Sequence, residues 1–207
     1  MPGLIKVSRK FLGRLVLSCY RGFVRLKCKC FSLLVSGAFA GFGKRTVLAY
    51  PIRLGGEDRI HIGDGVFLGS GCWLQALPDG DNHSVAISIG SGSSVAGACV
   101  ISAVRNVRLQ QNVLLARNVY ISDHMHRYSQ TDLPIIAQGL DKIESVLIKR
   151  GAWIGQNAVV CPGVTIGCGA VIGANSVVNQ DIPDFCVAAG SPARVVKKIE
   201  PEAYRQW

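Results

Sequence analysis

The chain has 207 residues, enough for one domain with appendages, and 49 % of them are apolar, so a sizeable core is available. Its 24 Gly against only 7 % aromatics suit a backbone that turns often around small side chains. The formal charge of +10 is uneven, since residues 1–45 hold ten Lys or Arg and no acid, which suits an anionic surface, while the lack of any run of eighteen uncharged apolar residues argues against a membrane span.

The first predicted element is a helix. At about 100° per residue, Leu12, Leu15, Val16, Cys19, Phe23, Leu26 and Cys30 fall in one arc, and Lys10, Arg14, Arg21, Arg25 and Lys29 fall roughly opposite. Such a basic amphipathic helix suits an anionic membrane surface. The same apolar arc could instead pack on the rest of the chain or on a neighbouring subunit. Nucleic acid is not expected, because no interleaved aromatics or known motif accompany the charge. Eight Cys without a CxxC pair predict free thiols acting as small hydrophobes in a reduced, cytosolic protein. Charges also interrupt the early apolar residues, so a secretory leader is not expected.

A period of six follows. It runs through Ile62, Leu68 and Leu74, then Ile89, Val95 and Ile101, then shifts by two and resumes at Leu109, Leu115 and Ile121. From Ile148 six consecutive hexads read IKRGAW, IGQNAV, VCPGVT, IGCGAV, IGANSV and VNQDIP. Their first residue is always aliphatic: Ile148, Ile154, Val160, Ile166, Ile172 and Val178. Four places later stand Ala152, Ala158, Val164, Ala170, Ser176 and Ile182. An α-helix would turn residue i+6 by about 240° from residue i. A short strand plus a turn gives the period directly, with the aliphatic residue inward. Gly155, Gly167 and Gly173, at the second position, are expected to supply positive φ for the turn. Fixed short periods of this kind mark a parallel β-helix.

Two stretches break the repeat. Ala76–Ser88 is a polar loop containing His83, which could line a cleft. Asp123–Val146 is long and polar, and it opens with Asp123, His124 and His126. A long excursion from a rigid scaffold usually carries function. His61 alternates with Ile60 and Ile62 and is expected to face solvent.

The segments RIHIGDGVFLGSGCWLQA, VYISDHMHRY, DLPI…QGL, WIGQNAVVCPGVTIGCGAVIGANSVVNQDIP and VAAGSPARVVKKI resemble the hexapeptide-repeat acyltransferases. Within them they are most similar to the sugar O-acetyltransferases of lipopolysaccharide and capsule biosynthesis, with maltose and galactoside acetyltransferases as relatives. The resemblance spans roughly residues 45–200. It implies an all-β, left-handed parallel β-helix with an N-terminal amphipathic helix and a long inserted loop. The expected division is a basic helical segment at 1–45, the β-helix at 46–183 with its excursion at 123–147, and an extension at 184–207 that contributes to the coenzyme A site.

The resemblance also implies a homotrimer with sites between subunits and acetyl-CoA as co-substrate. The acceptor would be a sugar hydroxyl, free or on a lipid-linked saccharide, in surface polysaccharide or O-antigen synthesis. A cytoplasmic place follows, with residues 1–45 at the inner face of the membrane. Acetyl transfer to an alcohol needs a base for the hydroxyl proton, and imidazole titrates near neutrality. Aligned on the preceding strand, His126 matches the family's catalytic His. His124 is the other candidate, and Asp123 or nearby carbonyls could orient the ring. The family often places a Trp at the position of Trp153, near acceptor and thioester, where plain packing is the alternative. Positions matching coenzyme A contacts are Gln156, Ala174, Asn179, Arg194 and Lys197. Asn179 departs from the Thr common in relatives. No metal is implied.

Other activities of the same fold stay open. One is N-acetyl transfer to an antibiotic, serine or an amino sugar. Another is a zinc hydratase resembling the γ-type carbonic anhydrases, with His83, His124 and His126 as ligands. A third is a noncatalytic β-helix used for assembly.

Overall fold

Residues 9–80 and 84–200 are described by a computed structural model of the chain. The hexads become short strands separated by tight turns. Trp153–Ile154, Val159–Val160, Thr165–Ile166, Val171–Ile172 and Val177–Val178 are two-residue strands. The second residue of each, the hexad's aliphatic position, is at most 1 % exposed. Ala152, Ala158, Val164, Ala170, Ser176 and Ile182 are buried as well, so each hexad places two residues in the core.

Among the described residues the strands of the coils stack into three sheets, parallel apart from one terminal hairpin, and successive turns of the chain visit them in order; a fourth, two-stranded antiparallel sheet lies in the excursion. The first face runs from Gly41–Phe42 to Thr165–Ile166. The second begins at Val47–Leu48 and the third at Arg53–Gly55. Parallel registers put aliphatic residues in columns: Ile62, Ile89, Leu109, Ile148 and Ile166 inside the first face. Leu48, Leu68, Val95, Leu115, Ile154 and Ile172 line the second. Leu54, Leu74, Ile101, Ile121, Val160 and Val178 line the third. The columns close a dry prism, and the earlier repeats belong to it as fully as the late ones.

The outward columns differ in character. The first face shows Gly41, His61, Ser88, Arg108, Leu147 and Thr165. The second shows Val47, Phe67, Ser94, Leu114, Trp153 and Val171, and the third shows Arg53, Trp73, Val100, Tyr120, Val159 and Val177. One face is therefore polar and two are largely apolar. His61 is exposed, as its alternation predicts.

One expectation is corrected. Gly155, Gly167 and Gly173 do not take positive φ; the left-handed positions are two residues later, at Asn157, Gly163, Gly169 and Asn175. Gly is needed at the second position because stacked turns touch there. A Cβ on Gly155 would sit 2.6 Å from both the Ala174 nitrogen and the Ile172 oxygen.

Helix α1 spans Arg9–Val35 and ends against the first coil, whose first strand starts at Gly41, inside the segment expected to be helical. The predicted apolar arc does not pack on the β-helix: Leu12, Leu15, Val16, Phe23 and Leu26 are all at least 50 % exposed. After the last coil Cys186–Gly190 and Ala193–Lys198 form an antiparallel hairpin that extends the second face.

Candidate active site

The chain leaves the prism after the strand Tyr120–Ser122 of the third face and returns at Val146–Ile148 of the first. Asp123 closes this exit. Its carboxylate accepts the backbone N–H groups of Val104 (2.9 Å), Arg105 (2.8 Å) and Asn106 (2.8 Å). Its own carbonyl accepts the N–H of Glu144 at 2.8 Å, so both ends of the excursion are tied to one residue. Burial pushes the Asp123 carboxyl up, but the bonds from His124 and the three amides outweigh it, and the group is held below the ordinary carboxylate range.

His124 follows directly. Its Nδ1 lies 2.9 Å from Asp123 Oδ1, and its side chain is only 9 % exposed. A carboxylate partner requires the hydrogen on Nδ1, which leaves Nε2 as the acceptor. The Ser122 hydroxyl bonds the His124 carbonyl at 2.9 Å and fixes the same turn. The carboxylate that the sequence offered as an orienting partner therefore meets His124.

His126 is exposed, on the short strand Met125–His126 that pairs antiparallel with Leu140–Asp141. That pairing turns the excursion into an arm rather than a loose loop. Gln138 is buried and closes the arm's tip. Its amide donates to the carbonyls of Gln130 (2.7 Å) and Leu133 (2.9 Å) and accepts the Gln130 N–H at 3.0 Å.

Both imidazoles border one cavity of about 350 Å³ on the outer surface of the third face. Trp73, Gln75, Leu77, Val100, Ser102, Tyr120 and Leu140 complete its wall. Arg53 stacks over Trp73, its guanidinium carbon 4.2 Å from the ring centre. The sequence reading missed these wall residues, which lie on three successive coils and on the arm and share no local motif. The alternation that sends Trp73 and Tyr120 outward from strands with buried neighbours was the available signal. Arg59 was missed too. It is buried, and its guanidinium donates to the carbonyls of Leu77, Ser84 (2.9 Å) and Val104 (2.9 Å), so it fastens the loop after Trp73–Ala76 beside the Asp123 turn.

The other predicted residues fall elsewhere on the prism. Trp153 is 48 % exposed on the second face, away from the imidazole cavity. Gln156 and Ala174 stand on successive turns of the corner between the second and third faces, where the Asn175 N–H bonds the Gln156 carbonyl at 2.8 Å. Asn179 follows the last strand of the third face, so it stands at a different corner. Arg194 and Lys197 are exposed on the terminal hairpin. His83 lies outside the described residues. Among the described residues no three metal-ligating side chains converge.

Comparison with known proteins decides the family. A family model for the bacterial transferase hexapeptide, six repeats, matches residues 145–180. The putative lipopolysaccharide biosynthesis O-acetyl transferase WbbJ of Escherichia coli strain K12 is 32 % identical over 162 residues, which is 75 % of this chain and 80 % of that protein. The chain belongs to the hexapeptide-repeat acetyltransferases. A probable acetyltransferase of Mycobacterium tuberculosis, Rv3034c, is 36 % identical over 149 residues, 64 % of this chain and 49 % of its own length. Among solved structures, galactoside acetyltransferase in complex with coenzyme A superposes with a TM-score of 0.58 at 27 % identity, covering 85 % of this chain and 73 % of that one. AntD, an N-acyltransferase from Bacillus cereus in complex with dTDP and 3-hydroxybutyryl-CoA, reaches 0.71 at 20 % identity, covering 84 % and 90 %. The prism is thus the left-handed parallel β-helix of hexapeptide-repeat acetyltransferases, with the helix and the inserted arm as its additions.

Proposed function

We propose that this acetyltransferase moves an acetyl group from acetyl-CoA to a sugar hydroxyl, in the synthesis of a surface polysaccharide or O-antigen, with His126 as general base. Two imidazoles opening onto one aromatic-walled cavity carry this reading, together with the likeness to an O-acetyltransferase over most of its length. Trp73 and Tyr120 offer flat apolar walls of the kind sugars stack on, and Gln75 and Ser102 offer hydrogen bonds to hydroxyls.

The imidazole's task is proton transfer. The base takes the hydroxyl proton as the sugar oxygen bonds to the thioester carbonyl carbon. When the carbon–sulfur bond breaks, the imidazolium returns that proton to the departing thiol, so the histidine ends as it began. The thioester supplies the acetyl group. The residues proposed to hold acetyl-CoA fit the group. Gln156 and Ala174 form an exposed corner where an extended chain could lie, and Arg194 and Lys197 are exposed cations suited to phosphates. Asn179 is proposed as a further contact by family resemblance.

The geometry favours a second assignment by one observation: Asp123 holds His124, as a carboxylate holds a catalytic base. Kinetics with acetyl-CoA and a panel of sugars, read by thiol release, separates the two. His126→Ala is expected to lower turnover by about 10²–10⁴ with the fold intact, and His124→Ala to lower it less. Near-full activity of His126→Ala beside a dead His124→Ala would transfer the role to His124. Thiol release driven by amino sugars, and not by hydroxyl acceptors, would support the N-acetyl alternative.

The proposed assembly is a homotrimer. Trp153 and the imidazole cavity occupy different faces of one chain, and both faces are apolar on the outside. A ring in which the second face of one copy meets the third face of the next would bring the two to one seam. We place the protein in the cytoplasm, with residues 1–45 attached peripherally to the membrane. Among the described residues no helix is long and apolar enough to cross one.

A further inference from the structure

We infer that α1 seats the protein on an anionic lipid surface, with the apolar arc inserted and the β-helix standing end-on above it. This deepens the peripheral attachment just proposed by fixing the face, the orientation and the lipid class, and it stands apart from the acetyl-transfer chemistry.

The orientation follows from how α1 meets the first coil. In the strand Val47–Leu48 and just beyond it, the Val47 and Ala49 N–H groups bond the second coil, through the carbonyls of Val66 and Leu68. The Leu48 N–H points the other way, toward the open end of the stack, and there it meets Ser32 Oγ at 2.8 Å. The helix therefore caps the end of the prism. Val24, Cys28, Phe31, Ser32 and Val35 form the stripe that is wholly or partly buried against it.

At about 100° per residue that stripe lies roughly opposite Leu12, Leu15, Val16, Phe23 and Leu26. The apolar arc thus faces away from the molecule along the stack. On the same wheel Lys10, Arg14, Arg21 and Arg25 fall beside the buried stripe, on the half of the helix turned away from the arc. A helix lying in a lipid interface requires this layout: apolar side down, and basic side chains reaching headgroup phosphates from the water side. In a ring whose axis runs along the stack, every copy would present its arc in the same plane.

A second copy is the other occupant to consider, since Leu12, Val16, Cys19, Phe23, Leu26 and Cys30 alternate in steps of four and three, as a coiled-coil seam does. Charge decides against it. Residues 1–56 contain no acid, so Lys27 and Lys29, which would flank such a seam, would meet only like charge or none, and no ion pair could fix the partner helix. Anionic lipid supplies the missing charge.

The test is flotation of the full-length protein with phosphatidylcholine vesicles, with or without phosphatidylglycerol. The expected result is flotation only with phosphatidylglycerol, weakened by salt. It should be lost in Phe23→Ser/Leu26→Ser and weakened on the order of a hundredfold in Arg14→Gln/Arg21→Gln/Arg25→Gln. These positions are exposed, so circular dichroism should be unchanged. No flotation, or equal flotation of wild type and both variants, overturns the inference. So does a fall in mass by light scattering in Phe23→Ser/Leu26→Ser, which would make the arc a seam between copies. Thiol release with a soluble sugar, measured on the same samples, reports the acetyl-transfer proposal separately.

Discussion

Asp123 shows how one buried side chain can serve fold and site together. Its two oxygens satisfy three amides of the Val104–Asn106 turn, and one of them also receives His124. Asp123→Asn keeps the shape but replaces an acceptor with an NH₂ group aimed at donors. The variant is expected to lose on the order of 3 kcal/mol at neutral pH, measured by urea unfolding. The sign of the pH dependence follows from the depressed carboxyl. The unfolded chain holds its proton up to higher pH than the folded chain. The carboxylate's contribution is therefore complete above the ordinary Asp value of about 4 and drains away as pH falls through the lower folded value. Wild type and Asp123→Asn should then converge in stability in acid. A gap that stays constant down to the acid limit would mean that the charge is not what holds the turn.

At the level of the element, the strand and the turn were not equally legible. A coil strand in this fold is two to four residues with inward and outward places alternating, so the aliphatic position alone located every coil from Ile62 to Val178. The turn was misread because small residues occur at two of its places for two reasons. The left-handed place is filled by Asn157, Gly163, Gly169 and Asn175, residue types that tolerate positive φ. The place two residues before it is crowded by the next coil. Gly155→Ala separates the reasons. Its φ is ordinary, so a purely conformational account expects little change, whereas the stacked backbone predicts a loss of about 1–3 kcal/mol and a lower Tm. Asn157→Gly keeps the left-handed φ, so by the same measurement it should lose only the exposed amide bonds with Asn118 (3.1 Å) and Asn175 (2.9 Å), about 1 kcal/mol. Helix α1 was legible as amphipathic, but a wheel cannot say which side the body occupies. Ser32, which decides it through the Leu48 N–H, carries no sign of that role in the sequence.

For the whole molecule, the question is whether one chain contains a complete site. The histidines are two residues apart in sequence and were legible for that reason. The cavity wall was not, because Trp73, Val100 and Tyr120 become neighbours only when coils stack. Trp153 joins them only if a second chain brings its second face alongside. Mixed assemblies test this directly. His126→Ala and Trp153→Ala are each expected to lower turnover when expressed alone. Co-expressed in equal amounts, they should form rings in which about a quarter of the seams combine an intact His126 from one copy with an intact Trp153 from the next. Activity should rise toward that fraction of wild type, with light scattering giving the mass of three chains. If the site were complete within one chain, mixing would restore nothing. A stable monomer with full activity would dispose of the ring altogether, and with it the reason for two apolar faces on a prism whose core is already closed.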